Sequence, residues 1–139
     1  MTMSLLYVST CLLCLPDEGR EVDQIVRVAR ARNADLAVTG ALVFTRKHFA
    51  QVLEGSSSAV EELMGNIVND RRHTNVNVVE ASPIGQRRFA HWSMAYAGPS
   101  TYVQRHIVPL LPRLQDAQKR AEHVVRLISL MQQLSQGES

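Results

Sequence analysis

Between Ser4 and Thr10 the chain alternates in a period of two, with Leu5, Tyr7 and Ser9 on one face and Leu6 and Val8 on the other. Both faces carry apolar residues, which predicts a strand covered on both sides. After Pro16, Asp17, Glu18 and Gly19 the period lengthens. Val22, Ile25, Val26 and Ala29 recur at helical spacing, in a stripe that ends at Asn33 and predicts a first amphipathic helix. Leu36 to Phe44 and Phe49 to Glu54 are apolar runs rich in β-branched residues, joined by Thr45, Arg46, Lys47 and His48, the pattern of a hairpin. Its second strand sets Phe49, Gln51 and Leu53 on one face. Gly55 breaks that strand, and Ser58 with Glu61 three residues on makes a capping-box signature ahead of Val60, Leu63, Met64, Ile67 and Val68. A second helix follows from it. The polar stretch from Asn69 to His73 closes this helix, and Val76 to Ala81 and His91 to Tyr96 supply two further strands around Pro83 and the Arg87-Arg88 pair.

The predicted order is β-α-β-β-α-β-β. Two helices separated by a hairpin give an α+β, ferredoxin-like sheet with both helices on one face. The other face would offer Leu6, Val8, Ala50 and Val52 to water, so something must cover it. The tail has the means. Val103 to Leu114 is apolar but interrupted by Pro109 and Pro112, and Ala117, Ala121, Val124, Ile128, Met131 and Leu134 then form a helical stripe. These C-terminal helices are expected to pack on the sheet or on another subunit, and a homo-oligomer is expected.

Composition narrows the function classes. At 139 residues one hydrophobic core is expected, and no apolar run approaches the ~20 residues that span a bilayer. The apolar patch from Leu5 to Leu15 has no basic segment before it, so no signal peptide or membrane association is expected and the cytoplasm is the default. A formal charge of +2 gives no reason to expect a nucleic-acid partner, and the Arg71-Arg72 and Arg87-Arg88 pairs read as solvated surface. Cys11 and Cys14 could begin a zinc site or a redox pair, but no second pair or His cluster completes either. They read as reduced thiols, with no metal expected.

Candidate chemistry centres on Gln51. A carboxamide on a core-facing position between Phe49 and Leu53 costs about 1–3 kcal/mol if buried without partners. It offers a donor and an acceptor together, which suits the polar edge of a heteroaromatic ring and a phenol such as Tyr7, or simply backbone and water. Tyr7 alone reads equally as a core tyrosine. Asn33 continues the buried stripe of the first helix, where its amide could meet a ring carbonyl, although Asn also commonly ends helices. Ile25 and Ile67 lie mid-stripe on the two helices, as core residues or as apolar walls for a flat ring. Trp92 and Met94 fall on one face of the last predicted strand, with core packing as the plain alternative.

Taken in order, LLYVS with Tyr7, Asn33 before VTGALVF, HFAQVLEG with Gln51, DRRH after the second helix, and RRFAHWSM with Trp92 and Met94 resemble the BLUF (blue light using flavin) family. The resemblance runs over roughly residues 4–98. It implies a photoreceptor that is not an enzyme, with a non-covalent flavin (FAD, or FMN or riboflavin) between the two helices. It further implies a photoactive pair, Tyr7 and Gln51, in which light drives electron and proton transfer from Tyr7 and Gln51 rearranges its hydrogen bonds. Ile25, Asn33, Gln51, Ile67, Arg72, His73, Trp92 and Met94 would contact the cofactor. On this reading residues 1–98 form the flavin-binding domain, residues 99–139 a helical extension, and the signal passes to an unidentified downstream protein. Two positions depart from the family's pattern: Lys47 in the hairpin, where many members have Gly, and Ala50, where many have an aromatic. A small ferredoxin-like enzyme such as an acyl-phosphate hydrolase is the rival, but no Arg-Asn pairing or phosphate loop stands out. A protein- or RNA-binding module is the other, against which stands the scarcity of aromatics, three Phe and three Tyr.

Overall fold

The computed structural model describes residues 2–12 and 18–136. Cys14, Pro16 and Asp17 lie outside them. Strand β1 (Thr2–Cys11) is followed by helix α1 (Glu18–Asp35), the hairpin β2 (Thr39–Phe44) and β3 (His48–Gly55), helix α2 (Ser57–Val68), strand β4 (His73–Ile84) and the short strand β5 (Ala95–Ala97). The strand order is β4-β1-β3-β2-β5. Adjacent strands are antiparallel except β2 and β5, which run parallel through Ala41↔Ala95, Leu42↔Tyr96 and Val43↔Ala97. The first four strands thus have the ferredoxin-like arrangement that the sequence predicts.

The two sheet faces bury different sets, as the alternation in β1 and β3 requires. On the helix side, Val22 and Val26 of α1 pack with Leu42, Phe44, Phe49 and Met94, and Val60 and Leu63 of α2 pack with Val38 and Leu53. On the other side Leu6, Ala50 and Val52 are fully buried beneath the tail, against Val103, Ile107, Leu114, Leu127 and Met131. Ala50, where an aromatic is common in the family, lies wholly inside this tail-facing core. The tail enters through a π-helical turn at Val103–Ile107 and short 3-10 turns at Val108–Leu110 and Pro112–Gln115, then continues as α3 (Arg120–Gln136). Pro109 has no N–H to return to Arg105, and the Val108 N–H reaches back five residues to the Val103 carbonyl, which widens this turn.

Several boundaries differ from the sequence expectation. Helix α2 is capped by Ser56, whose side chain accepts the Ala59 N–H, so Ser58 and Glu61 do not form the capping box. Strand β2 starts at Thr39, not Leu36, because α1 runs on to Asp35 and the chain reverses at Ala37 (φ 55°), with the Val38 N–H on the Asn33 carbonyl. Strand β4 extends through Pro83 to Ile84, which an edge strand tolerates. In the hairpin the left-handed conformation falls on Arg46 (φ 79°) and not on Lys47. Ala117 precedes α3 and is exposed, as is Ala121, while Leu127 and Leu130 join Val124, Ile128 and Met131 in the buried face.

The largest difference is at residues 91–96. Only Ala95–Ala97 form a strand, and the preceding residues turn and bend. The Trp92 N–H closes a turn on the Phe89 carbonyl, and the Trp92 carbonyl accepts the Gly40 N–H. A side chain at Gly40 would collide with the Val52 carbonyl, with a Cβ 1.9 Å from its oxygen, so this crowded crossing needs glycine. Trp92 and Met94 consequently do not share a face: Trp92 packs against the tail-facing core and Met94 lies in the α1-facing core.

Candidate functional site

Helices α1 and α2 lie side by side over β1 and β3, and a cleft of about 690 Å³, the solvent at its mouth included, opens between them. Ile25, Val28, Ala29, Arg32 and Asn33 of α1 form one wall, at successive turns of one helical face. Leu63, Asn66 and Ile67 of α2 form the other, and Tyr7, Leu42, Phe49 and Gln51 make the floor. Asp70, Arg72 and His73 complete the lining. Ile25 and Ile67 thus stand in opposite walls, half-buried.

The floor is polar only where Tyr7 and Gln51 meet. They are direct partners across the β1–β3 ladder, so their side chains project from the same face. The Tyr7 hydroxyl donates to Gln51 Oε1, and Gln51 Nε2 donates to the Met94 thioether at 3.4 Å. Burial is the first cause that drives the Tyr7 phenol far above its ordinary range, and the negative charge of Asp70 is the second. Tyr7 is therefore a protonated donor at every ordinary pH. Thioether sulfur is a weak acceptor, and one of the two Nε2 protons has no protein partner among the described residues.

Asn33 is buried near the end of α1 and donates from Nδ2 to the Ser93 carbonyl at 2.6 Å, which leaves Oδ1 available as an acceptor in the cleft wall. His73 spans three elements. Its Nε2 faces the Ile67 carbonyl, which can only accept, so in the neutral ring Nε2 carries the proton and Nδ1 accepts from the Ser9 hydroxyl at 2.8 Å. The ring also meets Tyr7 and Phe49 edge-on, at 6.2 and 6.0 Å between centroids. Arg72 forms a fork with both Asp70 oxygens, at 2.6 to 3.2 Å. That hydrogen bonding is the main reason the Asp70 carboxyl lies below its usual range.

Eight of the nine residues named from the sequence thus gather here, counting Met94 through its bond to Gln51. Trp92 does not, since it lies with the tail. Val28, Arg32 and Asn66 were not singled out, although the helical period contains them: Arg32 is seven residues after Ile25, and Asn66 three after Leu63. The donor set suits a flavin. A flat ring with an imide N–H and adjacent carbonyl and nitrogen acceptors needs apolar walls, one acceptor and one donor, which Ile25, Ile67, Asn33 Oδ1 and Gln51 Nε2 offer.

The family described as BLUF, sensors of blue-light using FAD, matches residues 2–95. This chain belongs to the BLUF family. The family senses blue light with a flavin, and the match takes in the whole sheet up to the first residue of β5. The photoactivated adenylate cyclase subunit beta of Euglena longa is 34% identical over 102 residues, covering 73% of this chain and 11% of that protein. The blue light- and temperature-regulated antirepressor BluF of Escherichia coli is 33% identical over 75 residues, covering 54% of this chain and 19% of the antirepressor. The chain therefore spans only a small part of these curated relatives. Among solved structures, the BLUF protein BlrB in its dark state superposes with a TM-score of 0.76 at 33% identity, covering 93% of this chain and 96% of BlrB. BlsA in its ground state gives 0.76 at 26% identity, covering 92% of this chain and 88% of BlsA. These alignments run into the tail. No helix among the described residues is long and apolar enough to cross a membrane.

Proposed function

We propose that this BLUF chain holds FAD between α1 and α2 and uses Tyr7 and Gln51 as its photoactive pair. The observation that carries the reading is the continuous series Tyr7 Oη, Gln51 Oε1, Gln51 Nε2 and Met94 Sδ on the floor of the interhelical cleft. Bound there, the flavin supplies blue-light absorption and an electron-accepting ring. Ile25 and Ile67 would hold its two faces, Asn33 Oδ1 would accept from it, and the spare Gln51 Nε2 proton would be donated to it. With an electron-accepting ring bound, Tyr7 would be the electron donor and its Oη proton would leave through the bond to Gln51 Oε1, both returning to Tyr7 as the pair relaxes. The Gln51 carboxamide then exchanges donor and acceptor ends by rotation or tautomerisation. Its partners on both sides, Tyr7 and Met94, must respond.

Residues 1–98 act in this reading as the flavin-binding domain and residues 99–139 as a helical extension that reports its state to a downstream protein or to a second copy of the chain. The chain acts as a sensor and performs no chemistry on an outside substrate. The direct test is an absorption spectrum of the purified protein before and after blue light. The expected result is a yellow protein whose flavin bands move reversibly to the red, because the ring gains an altered set of hydrogen bonds. A flavin-loaded sample with an unchanged spectrum would defeat the photoreceptor reading, and a protein that purifies colourless and takes up no flavin would favour an unrelated use of the fold.

Asn33 supplies a second expectation. Asn33→Ala removes the wall's acceptor and also releases the Ser93 carbonyl, each bond contributing about 0.5–1.5 kcal/mol. Flavin retention should fall by roughly tenfold, as measured by equilibrium dialysis of the dark protein. Unaltered retention would return Asn33 to the role of a helix-ending residue.

A further inference from the structure

Residues 90–94 join the tail-facing core to β5 without regular structure of their own, so their carbonyls need partners from elsewhere. Helix α1 supplies two of them. Arg30 donates from Nε to the Met94 carbonyl at 2.8 Å, and Asn33, one turn further on, donates to the Ser93 carbonyl. Two consecutive peptide groups are thus held by one helix face, three residues apart.

Met94 is the residue on which this matters. Its side chain is buried and accepts from Gln51, while its backbone continues directly into β5 and from there to the tail. If Gln51 turns its oxygen toward Met94, the thioether has no proton to offer and the contact is lost. Met94 can answer in two ways: its flexible side chain can move alone, or its backbone can shift and carry β5 with it. A guanidinium bond on the Met94 carbonyl opposes the second, because a hydrogen bond from a charged donor is stronger than one between neutral groups. Arg30 does not line the cleft, so it acts through Met94 and not through the cofactor.

We propose that Arg30 is a positioning residue of the light response: its bond to the Met94 carbonyl favours the dark arrangement of the Ser93–Met94 segment and so speeds the return from the lit state. The inference rests on the photoactive reading given above. With the bond strong in the dark arrangement and weakened in the lit one, its removal leaves less to drive the return. Arg30→Met keeps the aliphatic stem and removes every donor, whereas Arg30→Lys keeps a charged donor on a stem of comparable reach.

The experiment follows the decay of the red-shifted band in darkness for the full chain and both variants, with flavin content and the size of the red shift measured alongside. Arg30→Met is expected to bind flavin and to shift as the parent does, but to recover about tenfold more slowly, a change of the order that one charged hydrogen bond makes in a barrier. Arg30→Lys is expected to regain most of the rate, a rescue that a merely space-filling role would not produce. A parent chain that binds flavin but never shifts overturns the photoactive reading and this inference together. A parent that shifts, with Arg30→Met recovering at the parental rate, overturns this inference alone. Loss of flavin from either variant also overturns it, by placing Arg30 in the binding wall.

Discussion

Tyr7→Phe is expected to keep the flavin and lose the red shift. Tyr7 is almost wholly buried, and Phe reproduces its ring and its edge-on contact with His73, so the floor of the cleft keeps its shape. What disappears is the hydroxyl that donates to Gln51 Oε1. A buried acceptor left without its donor costs about 1–3 kcal/mol, which lowers the melting temperature without emptying the site. The photochemical consequence is larger than the thermal one, because Phe has no ionisable proton and is much harder to oxidise. Gln51→Leu should behave alike, since it removes the group whose hydrogen bonds change. Absorption spectra of flavin-loaded variants before and after blue light give the measurement. A normal red-shifted state in either variant would mean the pair has been wrongly assigned, and loss of flavin would make the residue structural.

The second large effect is expected far from the cofactor. Leu127 is completely buried in the core that joins α3 to Leu6, Ala50 and Val52 on the far sheet face. Leu127→Ala should cost about 2–5 kcal/mol, the range for deleting a fully buried leucine side chain. Val125, 69% exposed on the same helix, should change stability by less than about 0.5 kcal/mol when made Ala. Because the tail and the sheet share one core, urea unfolding followed by helix content and by flavin absorbance should give coincident transitions. Flavin retained through a separate, earlier loss of helix would show that the tail is an independent unit.

The parts of this fold that were legible in the sequence are those where period and burial agree. The alternation of β1 and β3 places Tyr7 and Gln51 on the helix face, and the structure makes them cross-strand partners. The apolar stripes of α1 and α2 put Ile25 and Ile67 in facing walls. The need for a cover over Leu6, Ala50 and Val52 could also be read, since unpaired apolar faces are costly. Illegible were the features decided by single tertiary hydrogen bonds. HWSMAY has the composition of a strand, but the Ser93 and Met94 carbonyls are taken by Asn33 and Arg30 of α1, so only Ala95–Ala97 join the ladder with β2. A continuous strand there would have set Trp92 and Met94 on one face. Ser56 likewise outcompetes Ser58 as the cap because Gly55 ends β3 immediately before it.

Glu54 belongs to the same illegible class. It is a fully buried carboxylate on β3, three residues past Gln51, and it accepts from Thr39 Oγ1 and from the Arg88 and Phe89 N–H groups. Nothing in QVLEG announces that its acid side chain fastens the β4–β5 connection. Phe89, next to this anchor, is buried in the tail-facing core, so the connection is fixed at Glu54 before it reaches Trp92.

The shared core beneath the tail makes any signalling through it a two-way transaction. Leu6, Val52 and Phe89 are buried by the same residues, Ile107, Leu114 and Leu127, that a downstream protein would have to disturb or recruit. Whatever factor light contributes to that protein's affinity must reappear as an equal bias of the photoreceptor toward its lit form when the protein is bound. A partner-bound receptor would then lie closer in free energy to its lit form than an empty one, by that same factor.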